Sequence, residues 1–167
     1  ETTEVNTGRP AGQVVGIQTA ALYVGGAPTP NTAVTELWNG SSWTEVNDLN
    51  TGRYQMGASG LTTAALVFGG QVPPLTTNTE DWNGTSWTEV NNLATARGYM
   101  GSANKGTSLS TLQIAGNPDN GAVEEWSFPP SPATALQEGL MWFNSTSSAL
   151  KGYSLAAGVS SATWASG

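Results

Sequence analysis

Proton transfer and nucleophilic attack rest mostly on a few side chains, and two of them are missing, since the 167 residues contain no His and no Cys. Imidazole acid–base chemistry, Ser–His pairs, thiolate nucleophiles, disulfides and zinc–thiolate sites are thereby excluded, together with most transition-metal sites. Carboxylates and guanidinium groups are left. Glu36, Glu80 and Glu124 could form a glycosidase constellation, which needs two carboxyls about 5–10 Å apart. Arg9, Arg53 and Arg97 could form a ring that binds an anion. Both sets recur at one interval of 44 residues, and identical placement on successive units does not make an asymmetric catalytic pair. The repeat supplies a simpler role: each Arg starts a first strand and pairs with a repeat carboxylate or a loop carbonyl. The Asp residues and Glu124-Glu125 show no D-x-D-x-D-G calcium ladder. The expectation is therefore no catalytic, cofactor or metal site and no enzymatic activity, with the ligand contacts unspecified.

The elements that must hold these residues follow from the same repeat. Trp38, Trp82 and Trp126 share its interval. Two units also align Gly25-Gly26 with Gly69-Gly70, Trp43 with Trp87, and Thr44-Glu45-Val46-Asn47 with Thr88-Glu89-Val90-Asn91. Four strands of about 11 residues, turn included, fill such a unit. In the second unit these are Arg53 to Leu61, Ala64 to Phe68, a strand ending at Trp82, and Trp87 to Val90. Thr62-Thr63 turns the first pair, and Asn83-Gly84 supplies positive-φ residues for a tight hairpin before Trp87. Sustained apolar positions at helical spacing are absent, and Gly and Pro recur too often for helices. Trp43 and Trp87 are expected to wedge between neighbouring sheets as they stack radially.

Composition narrows the partners. Five Lys plus Arg stand against 12 Asp plus Glu, a formal net charge of −7, and charged residues make up 10%, well under the roughly 25% of an average soluble domain. Nucleic acid is not an expected partner, because phosphate binding needs clustered cations. Apolar runs such as Ala64 to Phe68 are far shorter than the roughly 20 residues of a membrane-spanning helix, so membrane insertion is not expected either.

Arg53, Gly57-Ala58, Leu66-Val67-Phe68-Gly69-Gly70, Glu80-Asp81-Trp82 and Trp87 together resemble the kelch motif. The wording WNGSSWTEVNDLNTGR and WNGTSWTEVNNLATAR, with Thr-Ala-Ala-Leu before each Gly-Gly pair, is similar to kelch-like repeats in structural proteins of marine bacteriophages. The resemblance covers about residues 1–128 and implies an all-β protein of three four-stranded propeller blades. Unit three departs from it: Ala115-Gly116 replaces Gly-Gly, and no Trp follows five residues after Trp126.

From Phe128-Pro129-Pro130-Ser131-Pro132 the character changes, since such a segment cannot continue a central strand. Residues 129–167 read as this Pro-rich boundary and a β-hairpin module, in which Glu138 to Phe143 and Ala149 to Tyr153 flank Asn144 to Ser148. Its Gly139, Trp142, Phe143, Asn144, Ser145, Lys151, Gly152 and Tyr153 resemble short segments of phage tail-fibre and virion proteins. Thr163-Trp164-Ala165-Ser166 resembles the missing fourth strand of unit three, which would make the module an insertion before that strand. Thr3-Glu4-Val5-Asn6 likewise matches a fourth strand belonging to a blade before Arg9. The chain reads as cut from a repeat array at both ends. Propellers close with about 4–8 blades, so three would be completed by missing residues or by other chains.

The resemblance implies a non-enzymatic bacteriophage virion structural protein, a tail fibre or surface appendage at the virion surface engaged in host attachment. Its partners would be other virion proteins and copies of itself, with a host surface glycan as the candidate ligand. The alternatives are a capsid decoration protein and a secreted cellular carbohydrate-binding propeller or surface-filament subunit. Trp38, Trp43, Trp82, Trp87 and Trp126 are expected in the core, which leaves Trp142 and Trp164 as candidates for stacking on sugar rings. The sequons at Asn39, Asn83 and Asn144 are explained by hairpin turns and by context rather than by glycosylation.

Overall fold

The computed structural model describes residues 3–27, 32–103, 107–118, 121–127, 141–144, 149–154 and 163–166, which fall in two compact units, Glu1–Phe128 and Pro129–Gly167. The described residues are all β, without a helix. In the first unit β1 (Gln13–Ile17), β2 (Ala20–Val24), β3 (Thr35–Trp38) and β4 (Trp43–Val46) form one antiparallel sheet in chain order. A second sheet repeats it with β5 (Gly57–Leu61), β6 (Ala64–Phe68), β7 (Thr79–Trp82) and β8 (Trp87–Val90). The third has three strands, β9 (Gly101–Ser102), β10 (Ser110–Ile114) and β11 (Val123–Ser127). These are propeller-like blades, and they do not close into a ring. The expected third four-stranded blade is thus corrected to three strands among the described residues.

Local chemistry explains the turns. The pairs Ile17↔Ala20 and Leu61↔Ala64 close two-residue hairpins over Gln18-Thr19 and Thr62-Thr63. Trp38↔Trp43 and Trp82↔Trp87 close four-residue loops instead, each with the two indoles in contact at 5.3 and 5.2 Å. In these loops only the glycine takes a positive φ, 97° at Gly40 and 94° at Gly84. The Asn acts through its side chain: Asn83 Oδ1 accepts the N–H groups of Thr85 at 2.9 Å and Ser86 at 3.0 Å, and Asn39 does the same for Ser41 and Ser42. A positive-φ Asn-Gly pair is therefore replaced by a side-chain-capped turn.

Two further strand expectations are corrected. Arg53 precedes β5 by four residues and sits in the approach loop, because the strand cannot begin until Gly57 pairs with Phe68. Residues 3–5 carry no strand, and their contacts place Thr3 where Asn47 stands: Thr3 donates to the Ser41 carbonyl as Asn47 donates to that of Thr85. The 44-residue register therefore prevails over the local likeness of Thr3–Asn6 to a fourth strand. In the second unit, β12 (Met141–Asn144), β13 (Ala149–Ser154) and β14 (Thr163–Ser166) form an antiparallel sheet in that order. β14 pairs along β13, with Trp164 opposite Tyr153.

Blades stack through a shared apolar layer. Val15, Leu22, Val24 and Leu49 of the first pack with Met56, Ala58, Ala65, Val67 and Trp87 of the second. The first strands β1, β5 and β9 lie beside one another, so they form the inner edge from which the sheets fan out. Trp87 wedges between blades as expected, its indole N–H donating to Thr35 Oγ1 at 3.2 Å. Trp43, with no described blade in front of it, is only half-buried, as is Trp126, whereas Trp38 and Trp82 are buried.

Gly25 and Gly69 show why the Gly-Gly pairs recur. Their φ angles are 60° and 61°, and each receives the next blade's Arg loop so closely that a Cβ would stand 2.4 Å from the Arg53 carbonyl oxygen or 2.6 Å from that of Arg97. Ala115 and Gly116 fill the corresponding places in the third blade with φ of 53° and 114°. We predict that Gly69→Ala costs about 2–4 kcal/mol through strain and clash. Gly8→Ala, which meets nothing within 4 Å, should be nearly neutral. Urea unfolding of both variants measures the contrast.

Candidate functional site

The repeat-register Arg and Glu come together in pairs, one in each blade. Arg9 Nη1 lies 2.5 Å from Glu36 Oε1, Arg53 Nη2 lies 3.0 Å from Glu80 Oε1, and Arg97 Nη2 lies 2.8 Å from Glu124 Oε1. In the first pair neither side chain is exposed at all, so the anion-binding ring is not formed. Each of the three carboxylates lies against its own guanidinium, Glu36 against Arg9, Glu80 against Arg53 and Glu124 against Arg97.

The first pair shows how the commitment is complete. Arg9 donates from Nε to the Gly25 carbonyl at 2.7 Å, from Nη1 to Thr7 at 2.9 Å, and from Nη2 to Tyr23 and Val34 at 3.1 and 3.2 Å. With Glu36, these acceptors account for all five of its donors. Glu36 in turn accepts the backbone N–H groups of Asn6 at 2.8 Å and Thr7 at 3.3 Å. One ion pair thus ties the approach loop to the end of β2 and the start of β3. Burial pushes the Glu36 carboxyl up, but the hydrogen bonds from Arg9, Asn6 and Thr7 and the attraction of the Arg9 charge hold it below its ordinary range. It is accordingly a permanent anion at neutral pH and no general acid.

Later blades vary the theme. Glu80 accepts both the backbone N–H and the side-chain amide of Asn50, at 2.8 and 2.7 Å. Arg53 is wholly buried, and burial lowers its pKa while Glu80 and Glu89 pull the other way. Its Nε and Nη1 have no hydrogen-bond partner. In the third blade Glu124 accepts the Ala94 N–H at 2.8 Å, and its side chain is 24% exposed.

A second repeated feature escaped sequence reasoning. Ala11, Gln55 and Tyr99, also 44 residues apart, have left-handed backbone with φ of 60°, 54° and 55°. They form a ladder across the blades, Gln55 N–H donating to the Ala11 carbonyl and Tyr99 N–H to that of Gln55, both at 2.9 Å. Three unlike residue types share the position, so no pattern of letters marks it. Glycine would adopt this backbone without strain, yet side chains stand here, and Tyr99 is 58% exposed. Trp142 and Trp164 belong to β12 and β14, and their side chains lie outside the described residues.

Comparison with known proteins adds a fold likeness alone. No family model matches the chain, and no curated protein does. Solved structures do match, among them that of YjhT, with a TM-score of 0.58 at 15% sequence identity. The alignment covers 73% of this chain and 43% of YjhT, so the chain spans less than half of that neighbour's length.

Asp81 of β7 stands opposite Leu66 and Thr88, in the register position that Leu37 occupies in β3. Burial raises its pKa, so its charged form costs stability at neutral pH and the cost is relieved as pH falls through the raised value. Asp81→Leu should therefore raise the thermal midpoint at pH 7, with the gain shrinking on acidification. Glu36 works in the opposite sense: its depressed pKa contributes stability above the ordinary glutamate value of about 4.3, which is lost as pH falls through the lowered folded value. Arg53→Met should cost about 3–5 kcal/mol by leaving Glu80 buried without its cation, and Arg53→Met/Glu80→Leu should recover most of it. Thermal unfolding across pH checks the first two, and urea unfolding the third.

Proposed function

We propose that the chain is a non-enzymatic structural protein of a bacteriophage virion, built on kelch-like repeats and displayed on a tail fibre or surface appendage engaged in host attachment. The observation that carries this reading is the repeated wording from Trp38 to Arg53 and from Trp82 to Arg97, with its likeness to phage structural repeats. The chemistry of the blades supports it. Their repeat Arg residues are consumed in internal pairs with Glu36, Glu80 and Glu124, and their hairpin tips expose neutral groups such as Asn39, Ser41, Asn83 and Thr85. A surface of this kind works by many weak contacts whose avidity comes from a shared scaffold. Other virion proteins and copies of the chain are its structural partners, and a host glycan is its ligand.

The secreted carbohydrate-binding reading draws on one specific observation, the exposed Tyr99 beside Gln55 on the left-handed ladder. An aromatic face next to an amide suits a neutral sugar. Immunogold electron microscopy of phage particles with antibody against this chain separates the readings. Label on the tail or its fibres is expected. Label confined to the shell would make it a capsid decoration protein, and its absence from particles, with the protein recovered from a cellular secretome, would defeat the virion reading.

A further inference from the structure

The two seams between blades are built alike in backbone and differently in side chains. In the first seam, strand pairing puts Val15, Leu22, Val24 and Leu37 on the face that meets the second blade, and Ala58, Ala65 and Val67 on the face that answers it. All of these pack into or against one apolar cluster. The second seam repeats the arrangement one blade further on, and strand pairing identifies its members. Ser59 stands there for Val15, Asp81 for Leu37, Ser102 for Ala58, Thr111 for Ala65 and Gln113 for Val67. Leu66 and Phe68 are buried in this seam but lie outside the apolar cluster. Ser59, Thr111 and Gln113 are buried as well, so the polar groups sit inside the seam and not at its rim.

These polar groups are poorly matched. Ser59 Oγ donates to the Ala103 carbonyl at 3.0 Å, Thr111 Oγ1 reaches for the same carbonyl at 3.4 Å, and the Ala58 N–H meets Ser102 Oγ at 3.4 Å. Gln113 turns back into its own blade, its Nε2 donating to the Ala115 carbonyl, while its Oε1 is buried with no hydrogen-bond partner among the described residues. Such a seam gains little from leaving water and holds groups that water would satisfy. Backbone docking is the same in both. Gly26 N–H donates to the Arg53 carbonyl at 2.9 Å and Gly70 N–H to that of Arg97 at 2.8 Å, and the ladder bonds of Gln55 and Tyr99 are both 2.9 Å. We infer that the seam between the second and third blades is a built-in hinge, at which the third blade undocks and redocks as a unit while the first two blades stay packed. Undocking lets water reach Ser59, Thr111 and Gln113, and it uncovers Leu66 and Phe68. Its cause is the five polar replacements, for which the first seam is the internal control. The hinge is independent of any virion role.

Residue-resolved amide hydrogen exchange of the full chain tests it, because each seam carries the same two backbone reporters, Gly26 and Gln55 in the first and Gly70 and Tyr99 in the second. Gly70 and Tyr99 are expected to exchange about tenfold faster or more, as sub-global opening requires. Giving the second seam the residues of the first, with Ser59→Val, Asp81→Leu, Ser102→Ala, Thr111→Ala and Gln113→Val together, is expected to bring their exchange down to that of Gly26 and Gln55. Leu37→Asp with Val67→Gln makes the converse change and is expected to speed Gly26 and Gln55. Circular dichroism verifies that the variants fold, and Gln113→Val by itself, expected to slow Gly70 and Tyr99, serves if the fivefold variant does not. Equal exchange at the two seams of the unmodified chain overturns the hinge. Fast exchange of Gly70 and Tyr99 that persists in the folded fivefold variant, or unchanged in Gln113→Val where that variant serves, overturns it too, since the third blade would then open for a reason other than these side chains.

Discussion

A guanidinium taken out of water must find a carboxylate and several carbonyls within reach, or it destabilises the chain that buries it by several kcal/mol. The first unit supplies the carboxylate once per blade, and around Arg9 it supplies the carbonyls as well. Arg9 gathers a loop, the last residues of one strand and the start of the next around itself, while Glu36 reaches back to hold the N–H groups at Asn6 and Thr7. The same pairing in the next two blades keeps Arg and Glu at a constant separation along the sequence. It also fixes where each Arg carbonyl points, and in two places that carbonyl is the docking point for the preceding blade's glycine pair. Folding of a blade and stacking of blades are thus coupled through one side chain.

The chemistry left over after this commitment is sparse. With no His or Cys in the chain and Glu36, Glu80 and Glu124 engaged, the described surface carries amides, hydroxyls, a few carboxylates such as Glu45 and Glu89, and exposed apolar side chains such as Ile17 and Leu61. The likeness to YjhT concerns the path of the backbone, and at 15% identity it carries no information about substrate or partner, because one fold hosts many functions.

Legibility followed the physics of each feature. Trp38, Trp82, Arg9 and Glu36 could be read as repeat positions because bulk or charge at those sites is irreplaceable, and the strands between them followed from alternation and turn residues. The ladder of Ala11, Gln55 and Tyr99 could not, since it is defined by backbone conformation and main-chain hydrogen bonds to which side-chain letters are blind. Thr3–Asn6 misled for a related reason. Four letters like those of a strand do not decide pairing, which depends on the partner available: for Asn6 that is Glu36 and the register it sets. Arg53 was placed inside a strand because the approach loop and the strand share small polar residues.

The amino-acid sequence by itself determined the repeat, its length, the all-β class, the Arg–Glu correspondence and the absence of imidazole and thiol chemistry, all of which rest on residue type and interval. Only the tertiary structure decided that the Arg–Glu groups meet within a blade rather than around a common site. It also showed that the third blade has three described strands, and that burial of equivalent strand positions differs between the blades. Those outcomes depend on which surfaces are covered, and coverage is a property of neighbours in space: Leu22 and Leu112 are the same residue type at equivalent strand positions, and one is sealed while the other meets water.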